Sequence, residues 1–361
     1  RGVAQSGSAP QWGCGGREFK SRRPDQMGIN DNKKRFSVID TTINLQEIKE
    51  LRSKLNAYLY LTPLVRCYSL ESFFSKNTEI YSKFEFLQNT GTFKLRGALT
   101  SILNTNEEKL ANGVTAVSAG NHAIAVAYAS KVLGVNAKVV MSKSSNIFRI
   151  NCCKNLGAEV VLAENAHEAF DLVNEIQEKE ERNFIHPFEG MNVIRGTATL
   201  GYEICFQREE FDVIIIPVGG GGLCAGISSY VRTVNPECNI YGIEPTGANT
   251  MQMSIQSNSP QSLNKINTVA DSLAAPFSLP LSFQYCKDHL SELLLVSEHE
   301  IIKSMSLLYN EMKLAVEPAC AVSTAGLFGP LRKKIDGKKI VLIMCGSNID
   351  WSSYKGILES K

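Results

Sequence analysis

No apolar run in the chain reaches the length that spans a bilayer, so a soluble protein is expected. An excess of charge is also missing. The 38 Lys and Arg against 36 Asp and Glu leave a formal net charge of +2, too little to hold nucleic acid or an anionic membrane. Histidine is scarce, at five dispersed residues, and no cysteines stand at paired metal-ligand spacing, which argues against a zinc site. The ten cysteines form no compact disulfide framework, and Cys152 and Cys153 are adjacent. Reduced, mostly buried thiols in a cytoplasmic protein are expected. What is present is ordinary globular composition over 361 residues, enough for two α/β lobes with a cleft between them.

Residues Arg1–Gln26 read unlike the rest, being rich in Gly, Ser and Arg with little apolar periodicity. A disordered tail and an organellar transit peptide both fit that composition. The segment VAQSGSAPQWGCGGREFKSRRPDQ also resembles the conceptual translation of a transfer-RNA gene, which favours a non-native stretch over residues 1–27 and Met27 as the natural start.

Beyond it, Leu45, Ile48, Leu51 and Leu55 recur at helical spacing. Ile80–Phe86 reads as a strand leading to Lys94, with Thr92 as the cap of a helix running to Leu103. Strands over Val114–Ser118, Ala137–Met141 and Glu159–Leu162 alternate with helices over His122–Leu133, Asn146–Leu156 and Ala166–Lys179. A second series follows: helix Gly196–Gln207, strand Val213–Val218, helix Leu223–Val234, strand Ile240–Glu244, helices Glu298–Tyr309 and Ala321–Lys333, and strand Ile340–Met344. Strands separated by helices imply right-handed crossovers and parallel sheets flanked by helices. The expected division is a large domain over 40–113 and 183–361 and a small domain over 114–182.

Four stretches carry chemistry. In KFEFLQNTGTFKLRGAL, Lys94 lies between Phe93 and Leu95, and desolvation of its amine would favour a neutral nucleophile. Taken alone, a lysine stem on apolar surface is the commoner explanation. Gly219, Gly220, Gly221 and Gly222 follow an apolar strand and precede a helix opened by Leu223. That context lets backbone N–H groups cradle a phosphate. No Gly-Lys-Ser/Thr follows, and the glycines are consecutive, so neither a nucleoside-triphosphate loop nor a dinucleotide fingerprint fits. Ser118, Ala119, Gly120, Asn121 and His122 sit at another strand-to-helix junction, where backbone amides could receive a carboxylate. Plain N-capping by Ser118 or Asn121 competes with that reading, and His122 reads as structural. Cys345 follows a parallel strand at its C-terminal end, where open α/β sheets bind ligands, although an inert core thiol fits equally well.

The ordered set KFEFLQNTGTFKLRGA, SAGNHA, HPFEG, GTATLGYEI, PVGGGGLCAG, GIEP, VADSLA, EPACA and CGSN resembles the threonine/serine dehydratases and serine racemases, over Leu61 to Asp350. These are two-lobed fold-type II (tryptophan-synthase-β-like) enzymes that use pyridoxal 5'-phosphate (PLP). The resemblance implies that Lys94 binds PLP covalently and that Phe93 packs on its ring. It implies that Asn121 bonds the cofactor's 3'-oxygen, that Gly219–Leu223 hold the phosphate and that Cys345 faces the ring nitrogen. Ser118 to His122 would bind the substrate carboxylate. Glu244 and Ala248 match a cation site of racemase-like members, but Thr250 stands where they carry an aspartate, so a metal is doubted. Ala270-Asp271-Ser272 departs from the family's Ala-Asp-Gly.

The expected reaction is dehydration of L-threonine or L-serine to a 2-oxo acid and ammonia by a cytoplasmic homodimer acting on free amino acids. An amino-acid racemase, a dehydratase for a bulkier substrate such as hydroxyaspartate or phenylserine, and a non-catalytic PLP-binding protein are the competing readings.

Overall fold

The computed structural model describes residues 39–360; the expectation for Arg1–Gln26 lies outside them. Ten strands form two sheets: β1 Leu64–Arg66, β2 Glu79–Phe84, β3 Val114–Val117, β4 Ala137–Ser142, β5 Glu159–Ala163, β6 Asn183–Phe184, β7 Val213–Pro217, β8 Asn239–Pro245, β9 Glu292–Val296 and β10 Lys339–Met344. The larger sheet has the order β1-β2-β10-β7-β8-β9 and the smaller β5-β4-β3-β6. Every pairing is parallel except β1 with β2.

The apolar runs explain this layering. All five residues of β7 are buried, as a strand covered on both faces requires. The helix Asn121–Leu133 is apolar almost all round and lies inside, between the smaller sheet and the helices Lys94–Leu103 and Ile147–Asn155. Ala169, Val173 and Ile176 of helix Ala166–Glu180 cover the other face of that sheet.

Local chemistry sets the helix ends. Asn44 accepts from the N–H groups of Gln46 and Glu47, and Ser297 and Glu300 form a reciprocal capping box. Pro280 and Pro318 open their helices, where a missing N–H loses nothing.

Several boundaries differ from the sequence reading. The helix expected from Gly196 begins at Met191, and the one expected from Ala321 begins at Pro318 and ends at Phe328. β1, β6 and β9 were not expected. β1 and β6 have three and two residues, too short for a period-2 signal. β6 pairs with β3, which carries the smaller sheet to Phe184, two residues past the expected boundary at 182.

Candidate active site

Lys94 opens its helix. Phe93, not Thr92, is the N-cap residue, and no side chain caps the helix. Thr92 instead forms a β-bridge with Gly346, and the Phe93 N–H donates to the Cys345 carbonyl at 3.1 Å, which ties the lysine segment to the end of β10. Lys94 Nζ donates to the Pro187 carbonyl at 2.6 Å and lies 5.0 Å from the centre of the Phe93 ring. Burial lowers its pKa to about 8, opposed only in part by nearby Glu317.

Two residues on, Arg96 anchors the helix from behind. Its guanidinium reaches Glu85 at 2.8 Å and Glu203 at 2.9 Å, and Lys83 Nζ donates to Glu203 at 2.7 Å, all four side chains being buried. Arg52 completes the cluster on Glu203. Burial pushes the Glu203 carboxyl up, but Arg96 and Lys83 outweigh it and hold the pKa at about 2.

The glycine run leaves β7 and turns into helix Gly222–Val234. Gly221 has φ +89°, a conformation only glycine adopts without strain. A Cβ on Gly220 would meet the Phe188 ring at 2.3 Å. The backbone thus lies bare against Phe188. Phe93, Lys94, Asn121, Gly219 to Leu223 and Cys345 line one crevice, so the expected cofactor residues come together. Ser118, Ala119, Gly120, Asn121 and His122 line the adjoining cavity of about 160 Å³, together with Lys94, Val117, Ala169, Phe170, Phe188 and Pro276.

The N-capping explanations for the Ser118–His122 turn do not hold. Gly120 is the cap residue and no side chain bonds the helix N–H groups; Ser118 Oγ accepts from the Gly120 N–H at 3.0 Å. Asn121 Nδ2 donates to Glu317 at 2.7 Å, and Asn121 Oδ1 accepts from Asn348 Nδ2 at 2.7 Å. His122 Nε2 sits 2.8 Å from the Ile185 carbonyl, and burial followed by the Lys94 charge lowers its pKa to about 3. It is a neutral structural histidine on the cavity wall. A hydrogen bond with Cys320 and burial raise the Cys345 thiol well above its ordinary pKa, so it stays neutral.

Residues given no role by sequence also belong here. Glu317 and Asn348 stood in the motifs EPACA and CGSN without a function. Arg149 donates to Asp271 at 2.6 Å and to the Asn348 carbonyl at 2.7 Å. Its sequence context, a polar residue in a short helix, held no signal. Glu244 takes the N–H groups of Met251 and Gln252 at 2.9 and 2.8 Å, and Thr250 donates to the Ala275 carbonyl. Both carboxylate oxygens are therefore engaged by backbone, Ala248 offers no side-chain ligand, and no metal-binding cluster of three acidic, His or Cys residues occurs among the described residues.

The pyridoxal-phosphate-dependent enzyme family matches residues 56–346. The chain belongs to this family. It is 42% identical to the phenylserine dehydratase of Ralstonia pickettii over 88% of this chain and 98% of that one. It is 37% identical to the L-threonine ammonia-lyase of Thermotoga maritima over 88% and 78%. The structure of maize serine racemase superposes with TM-score 0.82 at 28% identity, covering 87% of this chain and 96% of that one. The protein is therefore a fold-type II PLP enzyme of the dehydratase and racemase group. Its crevice suits the cofactor: it offers an amine of lowered pKa, a glycine backbone that a Cβ would obstruct, and a neutral thiol. No helix among the described residues is long and apolar enough to cross a membrane.

Proposed function

We propose that this PLP enzyme dehydrates a β-hydroxy-α-amino acid with an apolar β-substituent, preferably aryl, to a 2-oxo acid and ammonia. The cavity carries the reading. Val117, Ala169, Phe170, Phe188, Ala274, Ala275 and Pro276 give it an apolar wall, and Lys94 is the one Lys or Arg lining it among the described residues. The cavity of about 160 Å³ must hold the amino-acid head at the Ser118–His122 turn as well as the side chain against the apolar wall. The aromatic cluster Phe170–Phe277–Phe188, with centroid separations of 5.1 and 6.2 Å, offers ring edges and faces to it. The likeness to a phenylserine dehydratase agrees. Threonine, with a methyl substituent, would fill the cavity poorly, and serine would leave the wall without contact. Hydroxyaspartate would bring a second carboxylate to an apolar wall.

In this reading the Ser118–His122 turn receives the substrate carboxylate, and Lys94, Asn121, Gly219–Leu223, Phe93 and Cys345 hold the cofactor. PLP supplies an electron sink for the charge left at Cα. Lys94, whose pKa is lowered to about 8 so that a larger share of it is neutral than for a lysine in water, takes the Cα proton as general base. The proton that Lys94 removed balances the one the β-hydroxyl needs to leave as water, and the enamine so formed takes up water and releases 2-oxo acid and ammonia. Racemisation needs a second proton donor on the opposite face; by the family resemblance that is a serine in racemase-like members, and the matching position here is Ala119, whose side chain has no proton to give. The reading keeps the homodimer that the family resemblance implies and the cytoplasmic location expected from the scattered cysteines.

The test is ammonia and 2-oxo acid release from phenylserine, threonine, serine and hydroxyaspartate. The expected order of kcat/KM is phenylserine, then threonine, then serine. Turnover of serine or hydroxyaspartate above phenylserine would overturn the aryl preference, and ammonia release from none of them would overturn the dehydratase.

A further inference from the structure

Ser272 lies in the short turn Asp271–Leu273 and lines both the substrate cavity and the cofactor crevice. Its surroundings fix where the Asn121 amide points. Asn348 Nδ2 donates to the Thr90 carbonyl at 2.8 Å as well as to Asn121 Oδ1. Two acceptors on one nitrogen set the direction of the Asn348 amide, and it in turn sets that of Asn121. On its other side, Asn121 gives one hydrogen to Glu317 at 2.7 Å. The remaining hydrogen faces Ser272 Oγ at 3.1 Å.

An oxygen that comes to hydrogen-bond Asn121 through this remaining hydrogen must therefore arrive beside Ser272. The serine hydroxyl lies beside the Asp271 and Glu317 carboxylates and must turn from them to meet it. Its own acceptor is Asp271 Oδ1 at 3.3 Å, a long bond on a carboxylate that Arg149 already holds. Rotation about χ1 or the C–O bond moves that proton at little cost, since the bond given up is weak. A glycine here would leave the arriving oxygen with Asn121 alone.

We propose that Ser272 is a second hydrogen-bond donor to the 3'-oxygen of the cofactor, acting beside Asn121. The proposal rests on the site reading above, in which Asn121 meets that oxygen. Two donors stabilise the oxygen as an anion and leave the shared proton on the Lys94 nitrogen. With one donor, more of the proton moves to the ring oxygen. The two forms absorb at different wavelengths, the first at the longer, so the balance is visible in the resting enzyme without substrate.

The experiment compares absorbance spectra of the PLP-loaded wild type with Ser272→Ala, Ser272→Gly, Ser272→Thr and Asn121→Ala at one pH. Loss of a hydrogen bond to a charged group is expected to move the ratio of the two bands about tenfold toward the short-wavelength form in Ser272→Ala and Ser272→Gly. Ser272→Thr, which keeps the hydroxyl, should restore the wild-type ratio. Spectra of Ser272→Ala and Ser272→Gly that superimpose on wild type, while Asn121→Ala shifts, would overturn the role of Ser272. An unchanged Asn121→Ala spectrum would overturn the site reading beneath it. Because no substrate is present, failure of the dehydratase assay leaves this comparison standing by itself.

Discussion

Lys94 Nζ donates to the carbonyl oxygen of Pro187 at 2.6 Å, so the amine is already held at the crevice beside Phe188 and Gly220. The bond fixes the nitrogen's position, and the surrounding protein sets its charge. A lysine in water is protonated at neutral pH, whereas burial here brings the pKa to about 8.

The first prediction concerns that charge. The neutral amine is the form that attacks the cofactor aldehyde. The rate at which apoprotein captures PLP should rise with pH and level off above about 8, and Lys94→Ala should abolish the covalent absorbance. A rate that keeps climbing toward the ordinary lysine pKa would show that the amine is not desolvated.

The second concerns the glycine loop. A methyl group at Gly220 would sit 2.3 Å from the Phe188 ring, so either the loop or the ring must move. Gly220→Ala should weaken PLP binding tenfold or more while leaving the protein folded. Gly220→Asp should weaken it further by adding a like charge to the phosphate. Adding Phe188→Ala to Gly220→Ala should recover part of the lost affinity. Equilibrium dialysis of PLP distinguishes these cases, and unaltered affinity in Gly220→Ala removes the loop from the site.

The third concerns the buried ion cluster behind Lys94. Arg96→Met leaves Glu85 without its guanidinium and Glu203 with Lys83 and Arg52 alone. Breaking such a buried pair costs about 3–5 kcal/mol, read as a drop in the urea midpoint. The acid limb has a definite sign. The Glu203 carboxyl is held below its unfolded value, so its stabilisation is present above pH 4.5 and is lost as pH falls toward about 2. Thermal melting between those values should show the loss, and Glu203→Gln should flatten that limb while lowering stability at pH 7.

The fourth concerns the second face of the substrate. Ala119 lines the cavity and has no exchangeable proton. Ala119→Ser should raise the share of D-amino acid relative to 2-oxo acid, measured by chiral chromatography. Wild type forming D-isomer as fast as 2-oxo acid would contradict the assignment of elimination as the main reaction.

Much of this protein was legible along the chain. Central strands buried on both faces read as continuous apolar runs, so β7 and β10 and the helices between strands could be placed from residues alone. Lys94, the glycine run and Asn121 stand in contiguous motifs, because strand-to-helix turns at the C-terminal ends of parallel strands are local structures. What only the tertiary structure decided is what distant segments do to one another. Thr92 directly precedes the N-cap residue Phe93 and its hydroxyl lies 3.5 Å from the Lys94 N–H, yet its backbone is bridged to Gly346, some 250 residues away. Glu244, doubted as a metal ligand from the sequence, has the Met251 and Gln252 amides brought by the fold to its two oxygens. The cavity proposed to take the substrate side chain draws Val117, Phe170, Phe188 and Pro276 from four separate stretches. A motif can be read where its residues are neighbours in sequence, but a cavity is set by side chains that meet only when the chain folds.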